Sequence, residues 1–178
     1  GCSWLMMCPA KALATGFDDY FHNRSMGGPR LAENTALTEF REKFRVEDLL
    51  IIKTEAWSWS VRPLQPTLGA GVLSLNREAA SFSEVTPAEM AEMATLIATL
   101  EKTLKTAFAY DRINYLMLMM VDHQVHFHVI PRYESGRQFA GLEWVDAGWP
   151  ALPVLADCQH RDAALMLIRD SLRAASTS

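Results

Sequence analysis

Polar and apolar residues alternate most strictly between Gln124 and Ile130, where Val125, Phe127 and Val129 separate Gln124, His126 and His128. A period of two marks a half-buried strand whose successive side chains point to opposite faces. Gln124, His126 and His128 therefore share one face, spaced roughly 7 Å apart along the strand. His123 falls on the other face with Val125 and Phe127. Upstream, Leu49 to Thr54 is a continuous apolar run and Trp57 to Val61 alternates, which predicts two antiparallel strands turning at Glu55-Ala56. Pro63 and Pro66 interrupt the pattern, because proline cannot donate to a central ladder. A third strand is predicted over Gly69 to Asn76, with small residues at its start that serve either a tight corner or a ligand's close approach. Ile113 to Val121 is apolar on both faces and reads as a central strand buried on both sides. A very short connection at Asp122-His123 is expected to pass it on to the histidine strand.

Three segments carry helical spacing. Leu37, Phe40 and Phe44 give Thr35 to Arg45 one apolar stripe. Thr86-Pro87-Ala88-Glu89 is a helix start with Thr as cap, Pro in the first turn and Glu reaching back. The stripe Met90, Met93, Ala94, Ile97, Leu100, Leu104, Ala107 and Phe108 sustains that helix for about six turns. It is expected to lie across the sheet, with its methionines as core. Asp162 to Ala174 closes the chain as a helix with Leu165, Ile168 and Leu172 on one face. These elements predict an α+β domain: a mostly antiparallel sheet of about five strands with one long helix packed across it.

The chain's length of 178 residues, 49% of them hydrophobic, suits one core, expected over residues 34–178. Residues 1–33 show no sustained period and read as an extension, poorly ordered or not native, with Met26 as a candidate natural start. A formal charge of -4 offers no broad attraction to a nucleic-acid polymer, so a small ligand held by local cations is expected. The apolar run from Ile113 is about half a membrane span, so no membrane partner is expected. Cys2, Cys8 and Cys158 are odd in number and unpaired in spacing, which favours a reducing compartment. Their irregular spacing with His160 argues against a structural zinc.

Three of the five histidines lie within six residues, and two of them share a face beside an amide. Clustered imidazoles suit proton transfer, metal ligation or nucleophilic attack. After Pro131, Arg132, Ser135 and Arg137 leave the sheet beside the histidines and are expected as anion ligands. Trp144, Trp149 and Pro150 are expected to cover the core rather than stack on a base. A rival metal reading adds Glu134 to His126-x-His128, but the six-residue step and the long helix disfavour it.

The run Gln124-Val-His126-Phe-His128-Val-Ile-Pro131-Arg132 resembles the motif of the histidine-triad (HIT) superfamily, His-φ-His-φ-His-φ-φ with φ apolar, with glutamine in the first histidine position. The resemblance runs from about Leu37 to about Arg137 and looks closest to the diadenosine-polyphosphate-hydrolase branch, where Pro-Arg commonly follows. It implies a cytoplasmic homodimeric hydrolase or nucleotidyl transferase acting on a dinucleoside polyphosphate or nucleoside phosphoramidate, without cofactor or metal. His126 would attack the α-phosphorus, the main-chain carbonyl of Gln124 would hold its other nitrogen, and His128 would donate to phosphate oxygens or the leaving group. Arg132, Ser135, Arg137 and Arg62 are the expected substrate contacts. The sequence departs from the branch at Gly69-Ala70, where Gly-His is usual, and in the short Val121-Asp122-His123 that replaces a Gly- and Gln-containing phosphate loop. An inactive nucleotide-binding relative is the alternative. Replacing Gln124 by histidine is expected to leave activity unchanged or raise it, and His126→Asn to abolish it.

Overall fold

A computed structural model of the protein describes residues 35–155 and 160–177. The expectations for residues 1–33, Cys2, Cys8 and Cys158 fall outside the described residues. Helix α1 (Ala36–Lys43) starts where the Thr35 hydroxyl accepts from the Thr38 amide, and it ends at Phe44 just before Arg45 turns left-handed at φ 51°. Strands β1 (Leu50–Lys53) and β2 (Trp57–Val61) form the predicted antiparallel hairpin. Asn76 clasps its turn by donating to the carbonyls of Thr54 and Glu55.

The proline-rich 62–70 segment is wound around Gln65, which donates to Arg62 and Ala70 carbonyls and accepts from the Gly69 amide. Strand β3 (Gly71–Leu75) follows. The small residues before it serve a tight corner. Gly69 has φ +79°, and a Cβ there would stand 2.8 Å from the Phe108 ring; at Gly71 it would stand 2.7 Å from Trp59 Nε1. Side chains of the protein already fill the space that a ligand would need.

Helix α2 (Pro87–Phe108) carries the full capping box, Thr86 accepting from the Glu89 amide while Glu89 accepts from the Thr86 amide. Strands β4 (Arg112–Leu116) and β5 (His126–Arg132) complete an antiparallel sheet in the order β1-β2-β3-β5-β4. A small hairpin, β6 (Arg137–Phe139) and β7 (Leu142–Trp144), turns through Ala140 and Gly141, both at positive φ, and helix α3 (Asp162–Ser176) closes the fold.

One face of the sheet presents Trp57, Trp59, Val61, Leu73, Leu75 and Val129 to α2 and α3, which contribute Leu100, Leu104, Leu165, Ile168 and Leu172 to the same core. Period-two alternation sends Ser58, Ser60, Val72, Ser74, His126 and His128 to the other face, where Phe40, Phe44 and Val46 pack with Val72.

Two strand expectations are corrected. The run from Ile113 is not a central strand: β4 is the sheet's edge and stops at Leu116. Leu118, Met120 and Val121 beyond it are 45%, 90% and 77% exposed. The connection to β5 is consequently long, and β5 itself starts at His126 and runs on through Pro131 to Arg132, so that Gln124 precedes it. Pro131 is tolerated because the pairing of β5 with β3 ends at Val129, so no N–H is required of it on that side, where its carbonyl accepts from the Thr67 hydroxyl. Trp144 is buried as expected, its indole donating to the Phe139 carbonyl.

Candidate active site

His126 and His128 lie on adjacent same-face positions of β5, and β3 pairs with them through Ser74 and Val72. His126 is fully buried and His128 is 5% exposed. His126 Nδ1 stands 2.7 Å from the Gln124 main-chain oxygen. A carbonyl only accepts, so Nδ1 carries the proton and Nε2 is left with a free lone pair. That Nε2 faces His128 Nε2 at 3.3 Å. One of the two nitrogens must donate, and with His126 fixed the donor is His128. Its Nδ1 is then bare, and it has no hydrogen-bond partner among the described residues.

Burial lowers the pKa of both rings. For His126 desolvation outweighs the Gln124 carbonyl, which pulls the other way. For His128 burial, reinforced by His126 and Arg62, brings the pKa down to about 4. At neutral pH the pair is therefore uncharged: one imidazole with an unprotonated, oriented nitrogen, and a second offering an N–H next to it. Such a pair suits nucleophilic attack on an electrophile with proton donation beside it.

A cleft of about 420 Å³ opens beside His128, lined by Lys43, Phe44, Arg62, Pro63, Leu64, Leu118, Met120, Val121 and Asp122. Of the residues expected from sequence to bind substrate, Arg62 is here, its Nη1 also donating to the Leu64 carbonyl. The other three do not line this cleft. Arg132 shares the histidine face, but it is 4% exposed and engaged by Asp146 at 2.6 and 3.2 Å, Asn114 at 2.9 Å and the Ala151 carbonyl at 3.0 Å. Four of the five N–H donors of this guanidinium are thus taken by partners other than the histidines. Arg137 bonds the Ser135 hydroxyl, the Ala109 carbonyl and Asp111 and lies over Tyr133, so Ser135 and Arg137 hold each other beyond the far end of β5.

The Gln124 side chain is a rivet rather than a site group. It is fully buried, donates to the Leu75 and Arg77 carbonyls at 3.1 and 2.8 Å, and accepts from the Ala79 amide at 3.2 Å. Glu134, the third residue of the rival metal reading, takes its backbone N–H to Asp111. Among the described residues no three His, Cys, Asp or Glu side chains gather as a metal site. His160 stacks on Trp144 at 4.3 Å. No helix among the described residues is long and apolar enough to cross a membrane.

Sequence reasoning missed Lys43, Asp122 and the two phenylalanines of the site. Lys43 Nζ bonds both Asp122 oxygens, at 2.6 and 2.9 Å. Phe40 and Phe44 pack on His126 with ring centres 4.8 and 5.7 Å away, and Phe44 lies 5.8 Å from His128. The helical stripe marked both phenylalanines as inward-facing, but nothing in it named the imidazoles as their neighbours.

The comparisons with known proteins agree with this architecture. The HIT domain family profile matches residues 62–135. Among solved structures, a histidine triad protein from Sinorhizobium meliloti is similar at 20% identity with TM-score 0.58, over 74% of this chain and 93% of that one. A hypothetical histidine triad nucleotide-binding protein from Sulfolobus tokodaii matches at 16% identity and TM-score 0.57, over 72% and 83%. A HIT-like protein involved in cell-cycle regulation from Bartonella henselae follows at 14% and 0.54, over 71% and 85%. No functionally curated protein matches the sequence. The fold is thus the α+β fold of histidine-triad proteins.

Proposed function

We propose that the protein is a nucleotide hydrolase or nucleotidyl transferase that works through a nucleotidyl-histidine on His126. The observation that carries this reading is the 2.7 Å contact from His126 Nδ1 to the Gln124 carbonyl, which fixes a neutral imidazole with Nε2 unprotonated. In the reaction Nε2 attacks the α-phosphorus, the P–N bond forms, and the bond to the leaving group breaks. His128, whose Nε2–H already points to the same spot, donates to a non-bridging oxygen or to the departing group. Water then attacks the phosphorus and releases the nucleoside monophosphate. Splitting the displacement in two replaces one high barrier by two lower ones.

The leaving group is a second nucleotide or an amine, as in dinucleoside polyphosphates and nucleoside phosphoramidates. Arg62 supplies positive charge at the cleft, whose size suits a small ligand rather than a polymer. The side chain lost at the first motif position does not enter this chemistry, since the main chain of residue 124 performs the orienting. The same reading carries a homodimer, which a strictly monomeric mass by light scattering would contradict, and a cytoplasmic location, to be checked by fractionation.

The test is AMP release from a panel of diadenosine polyphosphates and adenosine phosphoramidates by the wild type beside His126→Asn. Release that vanishes in the variant supports the reading. No release above the variant's background, from folded protein, rejects it for these substrates and moves the assignment to nucleotide binding alone.

A further inference from the structure

His126 has no exposed surface, yet attack at phosphorus requires the reacting atoms to come within about 3.5 Å. What covers it is α1, through Phe40 and Phe44. The match between this cover and what lies beneath is poor. Phe40, Phe44 and Val46 are apolar, whereas the sheet face below them carries Ser58, Ser60 and Ser74 beside the two histidines. Ser60 Oγ, Ser74 Oγ and His128 Nδ1 are all buried without a hydrogen-bond partner among the described residues. Buried polar groups are ordinarily paired, and three unpaired ones on a single face forfeit bonds that solvent or a polar ligand would restore. The far end of the cover is held across a long stretch of sequence by the Lys43–Asp122 ion pair, at the edge of the cleft.

We infer that α1 is a displaceable cap: it closes apolar side chains over a polar floor and the His126 nucleophile, and the Lys43–Asp122 pair latches it shut. Opening exposes His126 Nε2 together with the Ser60 and Ser74 hydroxyls, so that a ligand rich in hydrogen-bonding groups takes the place of Phe40 and Phe44. The cap rests on the nucleotidyl-transfer reading for its purpose, but its motion can be read without any turnover.

The reporter is carbethoxylation of His126 by diethyl pyrocarbonate, followed by peptide mass spectrometry in the wild type, Asp122→Asn and Lys43→Gln. Amide exchange of β5 in the same samples gauges global unfolding. In the wild type His126 is expected to react faster than global unfolding allows. Breaking the latch should raise that rate about threefold, the scale of a partly exposed ion pair. Lys43 is half exposed, so Lys43→Gln provides a folded variant should Asp122→Asn not fold. Modification only at the global unfolding rate, or equal rates in wild type and a folded latch variant, overturns the cap. Latch-dependent modification without AMP release from any substrate would sink the hydrolase and keep the cap. AMP release with latch-independent modification would do the reverse.

Discussion

The amide of Gln124 occupies the position where the resembling motif has its first histidine, and its three buried hydrogen bonds define what a substitution there should do. Two are donated to the Leu75 and Arg77 carbonyls and one is accepted from the Ala79 amide, so the side chain rivets the 75–79 turn to the approach of β5. Each such bond contributes about 1 kcal/mol net, and more when a buried partner is left bare. Gln124→Ala should therefore cost about 2 to 4 kcal/mol. A neutral imidazole offers one donor and one acceptor where the amide offers two donors and an acceptor, so Gln124→His forfeits one bond and about 1 kcal/mol. Both variants keep the main-chain carbonyl that orients His126, and both should turn over like wild type per folded molecule. The assay is urea unfolding followed by circular dichroism, with AMP release measured on the same samples. An unchanged midpoint in Gln124→Ala would refute the rivet, and so would a Gln124→His protein both more stable and more active than wild type. The sequence alone suggested equal or higher activity for histidine here; the structure adds a stability cost.

Other expected outcomes follow from separate parts of the molecule. Arg132→Met strands the Asp146 carboxylate, 1% exposed, and should cost about 3 to 5 kcal/mol in the same unfolding assay while leaving KM unchanged in the folded fraction; a raised KM with normal stability would restore Arg132 as a substrate ligand. His128 should make the fold acid-sensitive. Its pKa falls from the ordinary 6.5 to about 4, so the unfolded chain takes up a proton that the folded one refuses. Stability is full above pH 6.5 and is lost as pH falls toward 4, with about 2 kcal/mol gone at pH 5. Urea midpoints at pH 7 and pH 5 check this, and a midpoint that holds or rises at pH 5 contradicts it. Gly69→Ala forces a left-handed φ and presses Cβ on Phe108, and should lower stability by at least about 1 kcal/mol by thermal melting; an unchanged melting temperature would show that the corner relaxes freely.

Much of this fold can be read locally. Thr86 to Glu89 announces α2 because both halves of a capping box lie within four residues, and the Trp57 to Val61 alternation needs only its own period. Ile113 to Val121 misleads because apolar residues on both faces describe a buried strand and an exposed cleft rim equally well, and length does not separate them. The β6–β7 hairpin had a signal in Gly141, whose partner Ala140 joins it at positive φ in a two-residue turn. In the site, period two places His126 and His128 together and also puts Arg132 on their face. What Arg132 does is decided by Asp146, fourteen residues on, and the Lys43–Asp122 pair joins residues seventy-nine apart. Such partnerships depend on how the elements pack, which no local pattern encodes.

The proposed reaction passes through a covalent nucleotidyl group on His126, which can be trapped. Wild type and His126→Asn are mixed with an adenosine-labelled diadenosine polyphosphate or phosphoramidate, quenched in base, where phosphohistidine bonds survive, and digested for peptide mass spectrometry. An acid-labile adenylyl group is expected on the peptide that carries His126 and is absent from the variant. Steady AMP release with label on another residue, or with the variant labelled equally, would contradict it.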